Sequence, residues 1–365
     1  MCTRIVAMLA SLALARFAVC GLALALAGPP SPAPAGDAPL LEKGERLFRQ
    51  GDTAGAIAAF EAAAKVDPKD ARPHYLRGVA LEKKGDAGAA AEAYRQAIAR
   101  KADFPEPHNN LGALLLAQGD AAHAAAELEA AVRVRPDYAE AQYNLGVARD
   151  GLGKKSEAVA AYKEAVRLKP QEAGYRLNLG AALRRTGDVD GALAAMKEAT
   201  RLAPGDAVAW ADLGMILSDK KAYDPAQSAL EKATKLKPDF ALAWNRLGRV
   251  ELRRGRVPEA VVAGERARKL EPKNGAFAAD LCRALFEKKE PARAVAECRA
   301  AVELEPANPL ARYELGKALV AQGDCKGARA ELARFKALPG VKPEAAAQAD
   351  TIAASCAASA KIAPK

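Results

Sequence analysis

Trp210-Ala211-Asp212-Leu213-Gly214 is answered 34 residues later by Trp244-Asn245-Arg246-Leu247-Gly248. Carried outward in both directions, that register divides residues 37–342 into nine consecutive blocks of 34, with no insertion or deletion. A fixed period of this length marks a solenoid built from helix pairs. With Asp37 as position 1, position 20 is alanine in all nine blocks, from Ala56 to Ala328. Position 8 is Gly44, Gly78, Gly112, Gly146, Gly180, Gly214, Gly248, Cys282 and Gly316. Glycine is only 28 of 365 residues, so eight in nine is not chance. Position 7 is leucine from Leu111 through Leu315, and position 27 is alanine in eight blocks from Ala63 to Ala301. Position 32 is proline in seven, from Pro68 to Pro306.

Each column has a physical role in a pair of short antiparallel helices. Positions 4, 7, 8 and 11 share one face of the first helix. Small residues at 8 and 20 let the two helices approach closely. Position 24 is often bulky, as at Phe60, Tyr94, Leu128 and Tyr162, and fills the space beside that contact. Glycine at position 15 supplies the turn, and an aspartate after it, as at Asp52, Asp86, Asp120 and Asp324, caps the second helix. Proline at position 32 stops that helix, because it lacks the N–H needed to continue.

The pattern resembles the tetratricopeptide repeat over residues 37–342. The two tryptophan-led pentapeptides are close to that family's opening signature, and the alanine, aromatic and proline columns supply the rest. The first block has Lys43 in place of the leucine, and the second has Arg77 there and Ala102 in place of proline, as befits atypical end repeats. The resemblance implies an all-α fold: a right-handed superhelical solenoid of antiparallel helix pairs, with its inner face lined by first helices. It also implies a surface for binding partners and no chemistry of its own. Glu344 to Ser359 reads as one further helix covering the apolar face of the last repeat, so residues 343–365 form a capping helix and a short tail from Ala360.

Residues 1–35 read as a signal peptide. Arg4 and Arg16 give a basic start, Phe17 to Ala27 is apolar, and Ala33-Pro34-Ala35 is a small-x-small cleavage site. Retention as a membrane anchor is one alternative, and it would place Arg16 near the bilayer centre at a cost of about 2.5–3.5 kcal/mol; lipidation at Cys20 is another, although bulky Val19 before it does not resemble a lipobox. The mature array would then span 36–342 and act in the periplasm, the cell envelope or outside the cell. Cleavage lowers the net charge from +10 to +8, since residues 1–35 hold two arginines and no acids. The basic excess is spread through the repeats and only 5% of residues are aromatic, which offers no stacking platform for nucleic acid.

Four cysteines follow the leader: Cys282, Cys298, Cys325 and Cys356. An even number in an exported chain points to disulfides. Cys282 and Cys298 occupy positions 8 and 24 of the eighth block, columns that face each other across the helix pair. Cys325 opens the second helix of block nine and Cys356 lies near the end of the capping helix. These placements predict Cys282–Cys298 and Cys325–Cys356. Gly264 stands at position 24 of block seven, where neighbouring blocks carry bulk, so the core is thin there.

Two sets of inner-face residues are candidates for a ligand. Asn110, Asn144 and Asn178 recur at position 6, with Asn109 and Asn245 at position 5 of blocks three and seven. Amides at one repeat spacing can hydrogen-bond an extended peptide backbone; a similar asparagine ladder is a feature of the repeat domain of O-linked N-acetylglucosamine transferases. Arg246, Arg249 and Arg253 lie at i, i+3 and i+7 on one helix, and Arg283 and Lys317 hold the place of Arg249 in the next two blocks. That stripe can grip carboxylates and loosely resembles the clamp of chaperone-binding relatives, without its Lys…Asn spacing. No phosphate loop, nucleophile elbow or HExxH is present, no CxxC suggests a metal, and His74 and His108 read as filling at position 4. The reading is a non-catalytic scaffold, without cofactor, that binds an extended peptide segment of a protein partner in its concave groove. A module binding carbohydrate or envelope polymer, and a regulatory repeat subunit of an enzyme such as a glycosyltransferase, are the alternatives.

Overall fold

The computed structural model describes residues 38–359. The leader reading for 1–35 and the tail from Ala360 lie outside the described residues. Among those described there are nineteen α-helices and no strands. In chain order they are α1 Ala38–Arg49, α2 Thr53–Val66, α3 Arg72–Lys84, α4 Ala87–Arg100, α5 Pro105–Ala117, α6 Ala121–Val134, α7 Ala139–Gly151, α8 Lys155–Leu168 and α9 Ala173–Thr186, then α10 Val189–Leu202, α11 Ala207–Asp219, α12 Tyr223–Leu236, α13 Ala241–Arg253, α14 Val257–Leu270, α15 Gly275–Glu287, α16 Pro291–Leu304, α17 Pro309–Gln322, α18 Cys325–Lys336 and α19 Pro343–Ser359. Odd-numbered helices up to α17 open the blocks and even-numbered ones close them. The chain divides into two compact units, one ending at Asp188 and the other beginning at Val189. Within each, a helix packs on its chain neighbours, and first helices of successive blocks also touch, as α5 does α7 and α13 does α15. No helix among the described residues is long and apolar enough to cross a membrane.

The contact that closes each pair runs between positions 8 and 24. A Cβ placed on Gly44, Gly78, Gly112, Gly146, Gly214 or Gly316 would come within 2.5–2.6 Å of the side chain at Phe60, Tyr94, Leu128, Tyr162, Leu230 or Leu332 respectively. The glycine is therefore the socket and the residue at 24 the plug. Those plugs are 0–2% exposed, and burying one contributes about 1.5–3 kcal/mol. Alanine at position 20 lines the same seam: its backbone oxygen lies 3.1 Å from the Cβ position of Gly214 and of Gly248. Block eight replaces socket and plug by the Cys282–Cys298 disulfide, with Cα atoms 5.3 Å apart. Cys325–Cys356, with Cα atoms 5.4 Å apart, ties α18 to α19. Closing loops of 16 and 31 residues contributes about 3–4 kcal/mol each in the chain-entropy model. Helix α19 covers Leu332 and Phe335 with Ala349 and Ile352, which is the expected cap.

Asp52, Asp86, Asp120 and Asp324 cap the second helices, accepting from the backbone N–H three residues on at 2.8–3.2 Å. Position 4 has a function that its mixed chemistry conceals. His108, Gln142, Arg176, Trp210, Trp244 and Arg312 each place a side-chain nitrogen 2.8–3.3 Å from the carbonyl oxygen six residues back, at position 32. At these six junctions the position-32 carbonyl, of proline in five and of Ala102 in one, is thus satisfied by the block that follows. His108 is buried, as a filling residue should be, but its Nε2 serves this bond while Nδ1 meets Glu127 at 2.6 Å.

The turn between helices needs a left-handed residue. Gly51, Gly85, Gly119, Gly153, Gly187, Gly255 and Gly323 take φ between 74° and 89° there. Lys221 and Lys289 occupy the same position with φ of 60° and 63°, a conformation that costs an L-residue about 1–2 kcal/mol. Replacing both by glycine removes that strain and adds some chain entropy to the unfolded state, for a net gain of about 0.5–1 kcal/mol per site. The Lys221→Gly, Lys289→Gly double variant is expected to melt above the wild type; an equal or lower midpoint contradicts the strain.

Candidate functional site

In the first unit the asparagines form a chain. Asn144 Nδ2 donates to Asn109 Oδ1 at 3.0 Å, Asn109 Nδ2 to Asn110 Oδ1 at 3.2 Å, and Asn110 Nδ2 to the Tyr94 hydroxyl at 3.3 Å. Tyr94 in turn donates to Glu82 at 2.8 Å. Burial holds the Glu82 carboxyl above the usual carboxylate range, and the Tyr94 hydrogen bond opposes the shift. The chain crosses three successive blocks, so it fastens first helices α3, α5 and α7 together. Asn144 is 2% exposed and serves as an inter-repeat link, out of a ligand's reach. Asn110 is half-buried, and so is Asn178, whose amide donates to Tyr143. Tyr143 stacks on Tyr175 with centroids 4.6 Å apart.

In the second unit the corresponding link is Asn245 Nδ2 to Asp280 Oδ2 at 3.0 Å, from α13 to α15. Asn245 is 5% exposed and, like Asn144, is a fastening and not a groove-facing amide. Burial raises the Asp280 carboxyl above its ordinary range, against the pull of Asn245, Arg249 and Arg283. Arg246 is paired with Asp212 at 2.6 Å and Lys317 with the buried Glu314 at 2.9 Å. Arg283 lies 3.9 Å from Glu314. Arg249 and Arg253 are exposed and make no hydrogen bond or ion pair among the described residues. The stripe read from sequence is therefore divided: Arg246 and Lys317 hold the fold, while Arg249 and Arg253 keep their donors.

Those two guanidiniums edge a cleft of about 230 Å³ between α13, α14, α15 and the start of α17. Its floor is Gly248, Ala260, Gly264 and Ala284, and its polar wall is Asn245, Asp280 and Arg283. The sequence marks the place through Gly264, a plug position with no plug. It marks Asn109 as an inner-face amide and Tyr94 as bulk at position 24, but not the hydrogen bonds that join them to Asn144 and Asn110.

His74 is a buried imidazole with one bond. Arg77 Nη2 donates to Gln96 Oε1 at 2.8 Å, so that oxygen is an acceptor, and His74 Nδ1 donates to it at 3.0 Å. Its Nε2 is buried without a partner. Burial first, then the charges of Arg100 and Arg77, lower the His74 pKa below its ordinary 6.5. A depressed folded-state value means that the unfolded chain binds the proton more readily. The His74 contribution is therefore complete above pH 6.5 and is lost as the pH falls through the folded-state value. Melting curves between pH 7.5 and 5 should show a smaller acid loss for His74→Asn than for the wild type; equal losses contradict the neutral assignment.

The sequence model described as the cilia and flagella-associated protein 70 C-terminal domain matches residues 138–354, and a tetratricopeptide repeat model matches residues 41–104. Among solved structures, the APC/C hetero-tetramer Cut9–Hcn1 is 18% identical with a TM-score of 0.56, over 77% of this chain and 55% of that one. The chain thus spans little more than half the length of that structure's chain. A tetratricopeptide repeat protein from Parabacteroides merdae is 18% identical with a TM-score of 0.56, over 68% of this chain and 98% of that one. PilF of Pseudomonas aeruginosa is 20% identical with a TM-score of 0.51, over 57% and 94%. At these identities the likeness is one of fold alone. Comparison with curated proteins finds no match.

Proposed function

The chain belongs to the tetratricopeptide-repeat family, and from that premise we propose that it is a non-catalytic scaffold holding an extended peptide segment of a protein partner against its first helices. The observation that carries this reading is the pair of uncommitted guanidiniums at Arg249 and Arg253, beside a cleft on α13. Guanidinium forks recognise carboxylates with two parallel hydrogen bonds, so the partner segment is acidic where it crosses block seven. Arg283 forms the far side of that grip. Asn110 and Asn178, half-buried on the earlier first helices, have amide capacity left for a backbone; Asn144 and Asn245 are inter-repeat fastenings to Asn109 and Asp280. The partner is a polypeptide and not nucleic acid.

We place this activity in an oxidising compartment beyond a membrane, with residues 1–35 as the export signal or a retained anchor. Two disulfides in so short a span favour that assignment, since such bonds persist mainly outside the reducing cytosol.

Affinity capture from an envelope extract tests the reading, using immobilised protein with both disulfides intact beside an Arg249→Ala, Arg253→Ala, Arg283→Ala variant. A defined polypeptide retained by the wild type and lost from the variant is the expected outcome. Retention of glycan in its place, or equal capture by both proteins, contradicts it.

A further inference from the structure

Block seven is the one block of the second unit from α11 onward whose socket receives no side chain from position 24. In blocks six and nine, Leu230 and Leu332 enter the space above Gly214 and Gly316. In block eight a disulfide fills it. In block seven Gly248 faces Gly264, and the atoms nearest its Cβ position are Ala260 O at 3.1 Å, Gly264 N at 3.4 Å and the small Ala263 Cβ at 3.5 Å. Leu281 from α15 leans on Gly264, with Cδ1 3.1 Å from the Cβ position there, and closes one side. The other side opens as the cleft edged by Arg249, Arg253 and Arg283.

Size narrows the occupant. A cleft of about 230 Å³ falls below the roughly 300–1,000 Å³ that drug-sized ligands use. It exceeds the roughly 150 Å³ that accommodates a benzene ring, so it suits one bulky side chain. Charge narrows it further. The three guanidiniums face Asp280 in the cleft and Glu314 at 3.9 Å from Arg283, which leaves a positive excess, so the chain that brings this side chain brings negative charge beside it. We infer that the cleft is an anchor pocket in which the partner peptide supplies the missing plug: an aromatic or large aliphatic side chain seats on Gly248 and Gly264, and an adjacent carboxylate lies across Arg249, Arg253 and Arg283. The inference rests on the peptide-groove reading and specifies its central contact.

The array itself provides the variant that tests this. Gly264→Leu recreates the Gly–Leu pairing of blocks six and nine, and the tightest neighbour of its Cβ is the movable end of Leu281, at 3.1 Å. It should fold and occupy the pocket from within, with its Cβ in ordinary contact with the Leu281 Cβ and Cα at 3.5 and 3.6 Å. The probes are three fluorescein-labelled pentapeptides followed by anisotropy on the whole chain: phenylalanine flanked by glutamates, alanine flanked by glutamates, and phenylalanine flanked by lysines. The wild type should bind the first at least about tenfold more tightly than the second, as expected for burial of one large apolar side chain, and should not bind the third. Gly264→Leu should lose that preference while keeping the weak binding of the second. Arg249→Glu, Arg253→Glu, which leaves the pocket floor untouched, should lose both acidic peptides. Gly264→Ala gives a milder form of the same loss if the leucine variant fails to fold. Equal binding of the first peptide to wild type and Gly264→Leu overturns the anchor pocket while leaving the groove reading in place. Binding of none of the peptides to the wild type also overturns it, and the capture experiment then decides the groove separately.

Discussion

A pair of helices can pack only as closely as the residues at their crossing allow, and here that crossing is a bare glycine under a buried plug. With a Cβ at Gly112, Leu128 would have to retreat, since only 2.6 Å separates that position from Leu128 Cγ. The same pairing recurs through both units, so stability accumulates pair by pair, each pair depending on its own crossing and on its neighbours. The caps, the left-handed turns and the position-4 donors all serve this arrangement. They set where each helix begins and ends, so that the socket of one meets the plug of the other.

Most of this is legible in the sequence, because the period puts equivalent residues in columns. Gly112 and Leu128 can be paired by position alone. So can Cys282 and Cys298, whose substitution at both members of one pair announces a covalent replacement. The second disulfide follows from helix direction: Cys325 begins α18 and Cys356 lies toward the end of the helix that caps it.

The candidate site is less legible, for a geometric reason. Columns compare residues 34 apart, but most polar links between first helices run 35 apart, from Asn109 to Asn144, Tyr143 to Asn178 and Asn245 to Asp280. A bond on that diagonal joins position 5 to position 6 of the next block and never appears as a column. Asn144 therefore looks like a member of an exposed ladder when it is a buried fastening. Position 4 misleads differently. Its histidine, glutamine, arginine and tryptophan share only an N–H, so a column of identities shows disorder where a column of donors shows regularity. The arginine stripe divides because Asp212 and Glu314 lie close enough to take Arg246 and Lys317, while Arg249 feels Asp280 only at longer range and neither it nor Arg253 closes an ion pair among the described residues.

The most direct test of the account is a double-mutant cycle on one crossing, with Gly112→Ala, Leu128→Ala and the double variant unfolded in urea. Small-to-large insertion into a packed seam costs about 1–3 kcal/mol, and truncating a buried leucine costs about 2–5 kcal/mol. If glycine and leucine form socket and plug, the alanine at 112 should cost little once Leu128 has been cut back, giving a coupling of about 1 kcal/mol or more. Additive losses, with Gly112→Ala equally harmful in both backgrounds, would contradict the socket and require another reason for the glycine column.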